Sequence, residues 1–147
     1  MPITPKEYGQ ISGSASRHTN ILKTVVFAFL TGGTICCIGE VLLKLYSAVG
    51  LDEKTASATV SMTLVFLSVT LTGIGVYDKI AKFGGAGSLV PITGFANAVA
   101  SPAIEFKSEG YVLGLGAKMF IIAGPVIVYG TAASVLYGLI LWIFRLY

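Results

Sequence analysis

The sequence predicts an all-α integral membrane protein: about three long transmembrane helices plus a glycine- and proline-broken helical segment, either re-entrant or discontinuous. Three observations carry this. Only 12% of the 147 residues are charged and 54% are hydrophobic, whereas soluble domains carry about 25% charged residues. Mean hydropathy is +0.83. Uncharged stretches long enough for a hydrocarbon core, which takes about 20 helical residues, recur along the chain. The ten Lys+Arg against seven Asp+Glu leave a charge of +3. That excess is dispersed through apolar sequence. A nucleic-acid footprint needs a clustered basic face, so nucleic acid is excluded as a partner and the lipid bilayer is the partner expected.

Residues 1–20 form a polar leader with Pro2 and Pro5, read as a cytoplasmic arm with little tertiary support. They lack the apolar core of a cleavable signal peptide. His18, beside Arg17, is read as solvated. The membrane domain is expected over 21–147. Its first span covers 21–46, with Lys23 at the start and Glu40 and Lys44 near the end. Cys36 and Cys37 are adjacent, a poor geometry for a disulfide and no zinc spacing, so they are read as small apolar packing residues.

Asp52 is placed to cap the second span, 55–77. That span has no charge but many hydroxyls (Thr59, Ser61, Thr63, Ser68, Thr70, Thr72), which imply interhelical hydrogen bonds or a polar lumen. Residues 78–82 are expected to close this helix at an interface. The segment 84–104 is uncharged and long enough to span, yet holds Gly84, Gly85, Gly87, Pro91, Gly94, Asn97 and Pro102. Each glycine costs a continuous helix about 1 kcal/mol and an interior proline about 3. Broken backbone survives in a bilayer only when buried in protein or lining a watery cavity. Two short helical pieces with an irregular join are therefore expected.

A charged connector, 105–110, and a lead-in, 111–118, precede the last span, 119–144. Trp142, Arg145 and Tyr147 serve as interfacial anchors. A re-entrant 84–104 leaves Lys6, Arg17, Lys23, Lys79, Lys82, Lys107 and Lys118 inside, against Lys44, Lys54 and Arg145 outside. A spanning 84–104 moves Lys107 and Lys118 out and Arg145 in. The positive-inside rule favours the re-entrant form, with four spans as the alternative.

Intramembrane polar groups are costly and are therefore functional candidates. Gly85, Gly87, Ser88, Pro91, Thr93, Gly94, Asn97 and Lys107 are the candidates for a solute path, where unwound backbone and helix ends contact solute. Asn97 either faces a pore or staples two helices. The charges at or near the membrane are Glu40, Lys44, Asp78, Glu105 and Glu109. Glu40 and Lys44, one turn apart, form either an interfacial pair or a lumen pair. Asp78 has Lys79 and Lys82 as potential partners. Glu105 and Glu109, one turn apart, either line a solvated loop or contact a hydrated divalent cation. Gly130, Ser134 and Gly138 form a small-residue stripe read as a helix-packing surface. There is no G-x-S-x-G, H-E-x-x-H or phosphate-loop motif, so no enzyme, bound cofactor or resident metal is predicted.

The strings Leu71-Thr72-Gly73-Ile74-Gly75-Val76-Tyr77-Asp78-Lys79-Ile80, Gly85-Ala86-Gly87-Ser88-Leu89-Val90-Pro91-Ile92-Thr93-Gly94-Phe95-Ala96-Asn97 and Ser108-Glu109-Gly110 resemble the SpoVA family of stage V sporulation membrane proteins. Length and leader fit its AC type. Gly33-Thr34-Ile35-Cys36-Cys37-Ile38-Gly39 is similar to that family's first membrane segment. The resemblance implies a subunit of a spore inner-membrane complex that moves dipicolinic acid, usually with calcium, in sporulation and germination. It implies other SpoVA-type membrane and soluble subunits as partners in a homo- or hetero-oligomer, and also mechanosensitive channel behaviour. It supplies no catalytic residues. Two functions stay open: a solute-conducting subunit, or a structural subunit that docks partners while another protein forms the path.

Overall fold

The structure, a computed structural model, describes residues 20–145. The leader, His18 and Tyr147 fall outside them, except for Asn20 at the leader's end. Helix α1 spans Ile21–Ala48 and α2 spans Glu53–Gly73. Gly50 ends α1: it sits at φ +96°, and Leu51 N–H donates back to the Tyr46 carbonyl at 3.3 Å. This left-handed glycine closure satisfies a carbonyl that the helix end would leave open. Asp52 then caps α2, its Oδ2 accepting the Thr55 N–H at 3.2 Å. Hydrogen bonds from the Thr55 side chain and backbone hold its carboxyl below the ordinary aspartate range.

The second span ends at Gly73, not at the expected Tyr77. The cause is the same closure, repeated: Gly75 adopts φ +69° and Val76 N–H donates to the Leu71 carbonyl at 2.9 Å. Residues 78–82 consequently do not close that helix. Asp78 lies in the first turn of a separate helix, α3 (Tyr77–Gly84), where a carboxylate is favoured by the helix dipole. A turn at Gly85, φ +48°, leads into the single-turn α4 (Ala86–Leu89). Pro91 then starts α5 (Ile92–Glu105). The broken segment is thus two helical pieces with an irregular join at Val90 and Pro91.

Hydrogen bonds fix the direction of this hairpin. Ser68 Oγ donates to the Thr93 carbonyl at 2.6 Å, and one turn further along both helices Thr72 Oγ1 meets Asn97 Oδ1 at 2.8 Å. Two contacts that each step four residues forward make α5 parallel to α2. A third crossing would have to run antiparallel to α2. The chain instead dips in through α4 and returns through α5 to the side where α1 begins and α2 ends. The arrangement is re-entrant, and the four-span alternative is set aside.

A 3₁₀ turn (Lys107–Glu109), Gly110 at φ +98° and a π-helical turn (Tyr111–Gly116) lead into α6 (Ala117–Phe144). With α1 and α2, the continuous helix Tyr111–Phe144 gives three helices long and apolar enough to cross a membrane. Glu105 ends α5 while Glu109 lies in the 3₁₀ turn, so the two carboxylates do not share the helix face expected of them. Among the described residues no group of three or more His, Cys, Asp or Glu side chains gathers to hold a metal.

The core is small and built from small residues: Ala56, Val60, Ala96, Ala100 and Ala123, with Tyr77 as its one large member. Small side chains let backbones approach closely where no water drives association. Helix α6 packs chiefly on α5, and Ala123 is its only buried residue.

In a Cys36→Ser/Cys37→Ser background, cysteines at Lys23 and Ser108 are expected to react with an impermeant thiol reagent from one membrane face and a cysteine at Leu51 from the other. Joint labelling of the Ser108 and Leu51 positions would overturn the re-entrant topology.

Candidate hairpin site

The broken segment is closed by a hydroxyl network contributed by three elements. Tyr77, at the start of α3, is 3% exposed, and its Oη donates to the Ser88 carbonyl at 2.8 Å. That carbonyl lies where Pro91 interrupts the helix, so a regular ladder leaves it unpaired. Oη is also 3.2 Å from Thr93 Oγ1. With the single phenolic proton engaged by the carbonyl, the threonine hydroxyl supplies the proton of this second contact. Ser68, 1% exposed, reaches Thr93 from α2, and Ser88, fully buried, turns its Oγ back to the Gly85 carbonyl at 2.9 Å. No buried side-chain polar atom is left without a partner among the described residues.

Two glycines make the hairpin sterically possible. A Cβ on Gly87 would collide with the Ala28 carbonyl, because α4 crosses α1 in backbone contact there. A Cβ on Gly94 would collide with the Leu89 carbonyl, over which α5 begins. Gly87 is therefore a point of close backbone contact between α4 and α1. Gly85 makes the turn, and Pro91 caps α5 while half-buried.

Asn97 staples α5 to α2 through Thr72. Thr72 Oγ1 lies 2.8 Å from both the Ser68 carbonyl and Asn97 Oδ1, yet a hydroxyl has one proton. Either it donates to the amide oxygen, or the amide is turned and donates to it. In both arrangements at least one amide N–H of Asn97 stays available, and the residue is half-buried.

The remaining candidates do not join the network. Lys107, Glu105 and Glu109 are all exposed at the connector, and Asp78 is exposed on α3 with no ion pair to Lys79 or Lys82. Glu40 and Lys44 pair at 3.4 Å with largely exposed side chains. A Cβ added to Gly130 or Gly138 would meet no atom within 4 Å, and Ser134 Oγ donates to the Gly130 carbonyl at 2.8 Å, so the stripe faces outward. Lys118 lies 4.7 Å from the Phe106 ring centre, a cation–π contact that ties α6 to the connector.

Sequence reasoning takes Tyr77 as the end of a span and misses its role. The signal is the glycine pair Gly73 and Gly75 just before it, which marks a helix end and makes Tyr77 the first residue of the next element.

Residues 24–140 match the model of the SpoVAC/SpoVAEB sporulation membrane protein family. The chain belongs to this family. It is also 51% identical over 121 residues to Stage V sporulation protein AC of Bacillus subtilis (strain 168), covering 82% of this chain and 81% of that one. No solved structure matches. The family match takes in all of α2 to α5, so the hairpin network belongs to the part that this SpoVAC/SpoVAEB-family chain shares with its family.

Tyr77→Phe keeps the ring and removes the hydroxyl, leaving the buried Ser88 carbonyl without its partner. A loss of about 1–3 kcal/mol in stability is expected, read as a lower melting temperature in detergent or nanodiscs. Gly87→Ala is expected to destabilise as well, through the Ala28 contact, and an unchanged melting temperature in both would remove the network from the fold's support.

Proposed function

We propose that this family member is a channel subunit for dipicolinic acid, with or without calcium, in the spore inner membrane during sporulation and germination. The chain is an integral membrane protein of a sporulation family; the solute and the conducting role are the further step. One observation carries that step. A hairpin of interrupted backbone enters the bundle and holds a half-buried amide, Asn97, with an N–H that no group among the described residues takes up. A rigid aromatic dianion needs hydrogen-bond donors and mild positive potential along its path, without deep trapping. Asn97 supplies a donor, and Lys107 supplies charge at the connector. The role is passage, with no catalytic step and no resident cofactor. The resemblance extends the proposal to opening by membrane tension.

A second reading, a non-conducting assembly subunit, is favoured by a specific observation. Ser88, Thr93 and Gly94 are buried inside the hairpin, with the two hydroxyls paired within it, while the Gly130–Ser134–Gly138 stripe is open to a neighbour.

Liposomes loaded with dipicolinate and carrying the purified chain separate the two. Efflux is expected from the wild type, reduced by Asn97→Leu. Lys107→Glu should shift selectivity away from anions, more clearly at low salt, since mouth charges are screened over about 8–10 Å near physiological ionic strength. No efflux from the wild type alone, with complexes that shrink on Gly130→Leu or Gly138→Leu, would establish the assembly role instead.

A further inference from the structure

A cavity of about 390 Å³ lies between α1, α2 and α3. Ile35 and Ile38 of α1, Leu64 and Leu67 of α2 and Ile80 of α3 form much of its wall. Most hydroxyls that touch it are already engaged: Thr34 with the Leu30 carbonyl, Ser68 with the Thr93 carbonyl, Tyr77 with Ser88, and Thr93 with Tyr77. Thr31 is the one lining hydroxyl with no partner among the described residues. A water molecule needs 2–4 polar partners to stay in such a space, more than the single unengaged Thr31 hydroxyl supplies against this apolar wall. Left empty, the lining forfeits its dispersion contacts. Ile38 and Leu67 at its edge are 45% and 43% exposed, so the cavity opens toward the surroundings of the bundle. For a helix bundle in a bilayer, those surroundings are lipid.

The charge pattern around the cavity names the lipid. On α3 the residues Tyr77, Ile80, Ala81 and Gly84 recur at helical spacing and face the bundle. Lys79 and Lys82, three apart, share the opposite face. Neither lysine forms an ion pair among the described residues. Lys23 adds a third cation: its neighbour Thr24 lies beside Gly85, where α3 ends. Asp78 is the one carboxylate on this helix. Three cations against one anion surround a helix whose inner face walls the cavity. Lysines at a membrane surface favour anionic lipid by about 1 kcal/mol each, or roughly fivefold in binding.

We propose that this cavity binds one acyl chain of an anionic phospholipid, with its headgroup held by Lys79, Lys82 and Lys23. The site is independent of whether the chain conducts. It places a bilayer lipid against Tyr77 and Thr93, the residues that close the re-entrant hairpin.

The full chain, reconstituted in mixed phosphatidylcholine–phosphatidylglycerol vesicles and released gently for native mass spectrometry, tests it. The wild type is expected to retain one phosphatidylglycerol in preference to phosphatidylcholine. Ile35→Phe with Leu64→Phe, which fills the cavity, should abolish retention of both lipids. Lys79→Gln with Lys82→Gln leaves the cavity intact and should keep a bound lipid while lowering the phosphatidylglycerol preference roughly tenfold or more. Equal retention of the two lipids by the wild type would overturn the proposal. So would an unchanged preference in the lysine variant, or full retention in a cavity-filled variant that melts like the wild type. Dipicolinate that displaces the retained lipid would likewise overturn it, by making the cavity a solute site.

Discussion

Everything in this fold depends on how a break in the helical ladder is satisfied where no water can do it. In the hydrocarbon region an unpaired carbonyl costs several kcal/mol, which is why spans are usually uninterrupted helices. Here Pro91 ends one helical piece and begins another, and the Ser88 carbonyl is left over. The Tyr77 hydroxyl covers it. Tyr77 can do so only because Gly75 turns the chain sharply after α2 and makes the tyrosine the first residue of α3. Ser68, from the later half of a long span, then fixes Thr93 and with it the register of α5. A tight turn, a buried phenol and one serine together convert a sequence unfit for a span into a stable re-entrant hairpin.

The large features of this fold are legible in the sequence. Long apolar runs locate α1, α2 and α6 because membrane helices need little beyond length and hydropathy to declare themselves. The glycine and proline density marks the hairpin, and the distribution of lysines chooses the re-entrant form over a fourth span. The end of α2 is not legible in the same way. Residues 74–77 are as apolar as the helix before them, and only the φ that Gly75 adopts separates Tyr77 from the span. Composition carries no record of that angle.

The site is half legible, for a physical reason. A polar residue in an apolar segment signals that it must be paired, without naming its partner. Thr72 and Asn97 are both visible, 25 positions apart, but their contact exists only once α5 is known to run parallel to α2. Glycines carry even less: Gly85, Gly87 and Gly94 read alike in sequence. In the structure one makes a turn, one touches the backbone of α1 and one sits over the carbonyls before it. Gly87 reads in sequence as a break in a helix, and in the structure it is a point of contact between helices.

The hairpin also sets what a single chain can do. It returns at Pro91, so α5 lies beside the half of α2 that ends at Gly73 and leaves the half that begins at Glu53 without it. Helix α6 is held along its first turns by α5 and the connector, and beyond Ala123 its side chains are exposed apart from half-buried Leu141. Beyond the hairpin tip, toward the far side of the membrane, the described elements of this chain are the end of α1 and the start of α2, joined by Tyr46 and Thr63. On the channel reading proposed above, a polar path from Lys107 past Asn97 to the opposite face would draw on surfaces from other chains as well. The outward glycines of α6 are shaped for close approach by another helix. On that channel reading, conduction and assembly would be linked: the hairpin would contribute polar groups to one half of the path, and association of α6 with neighbouring chains would complete the other.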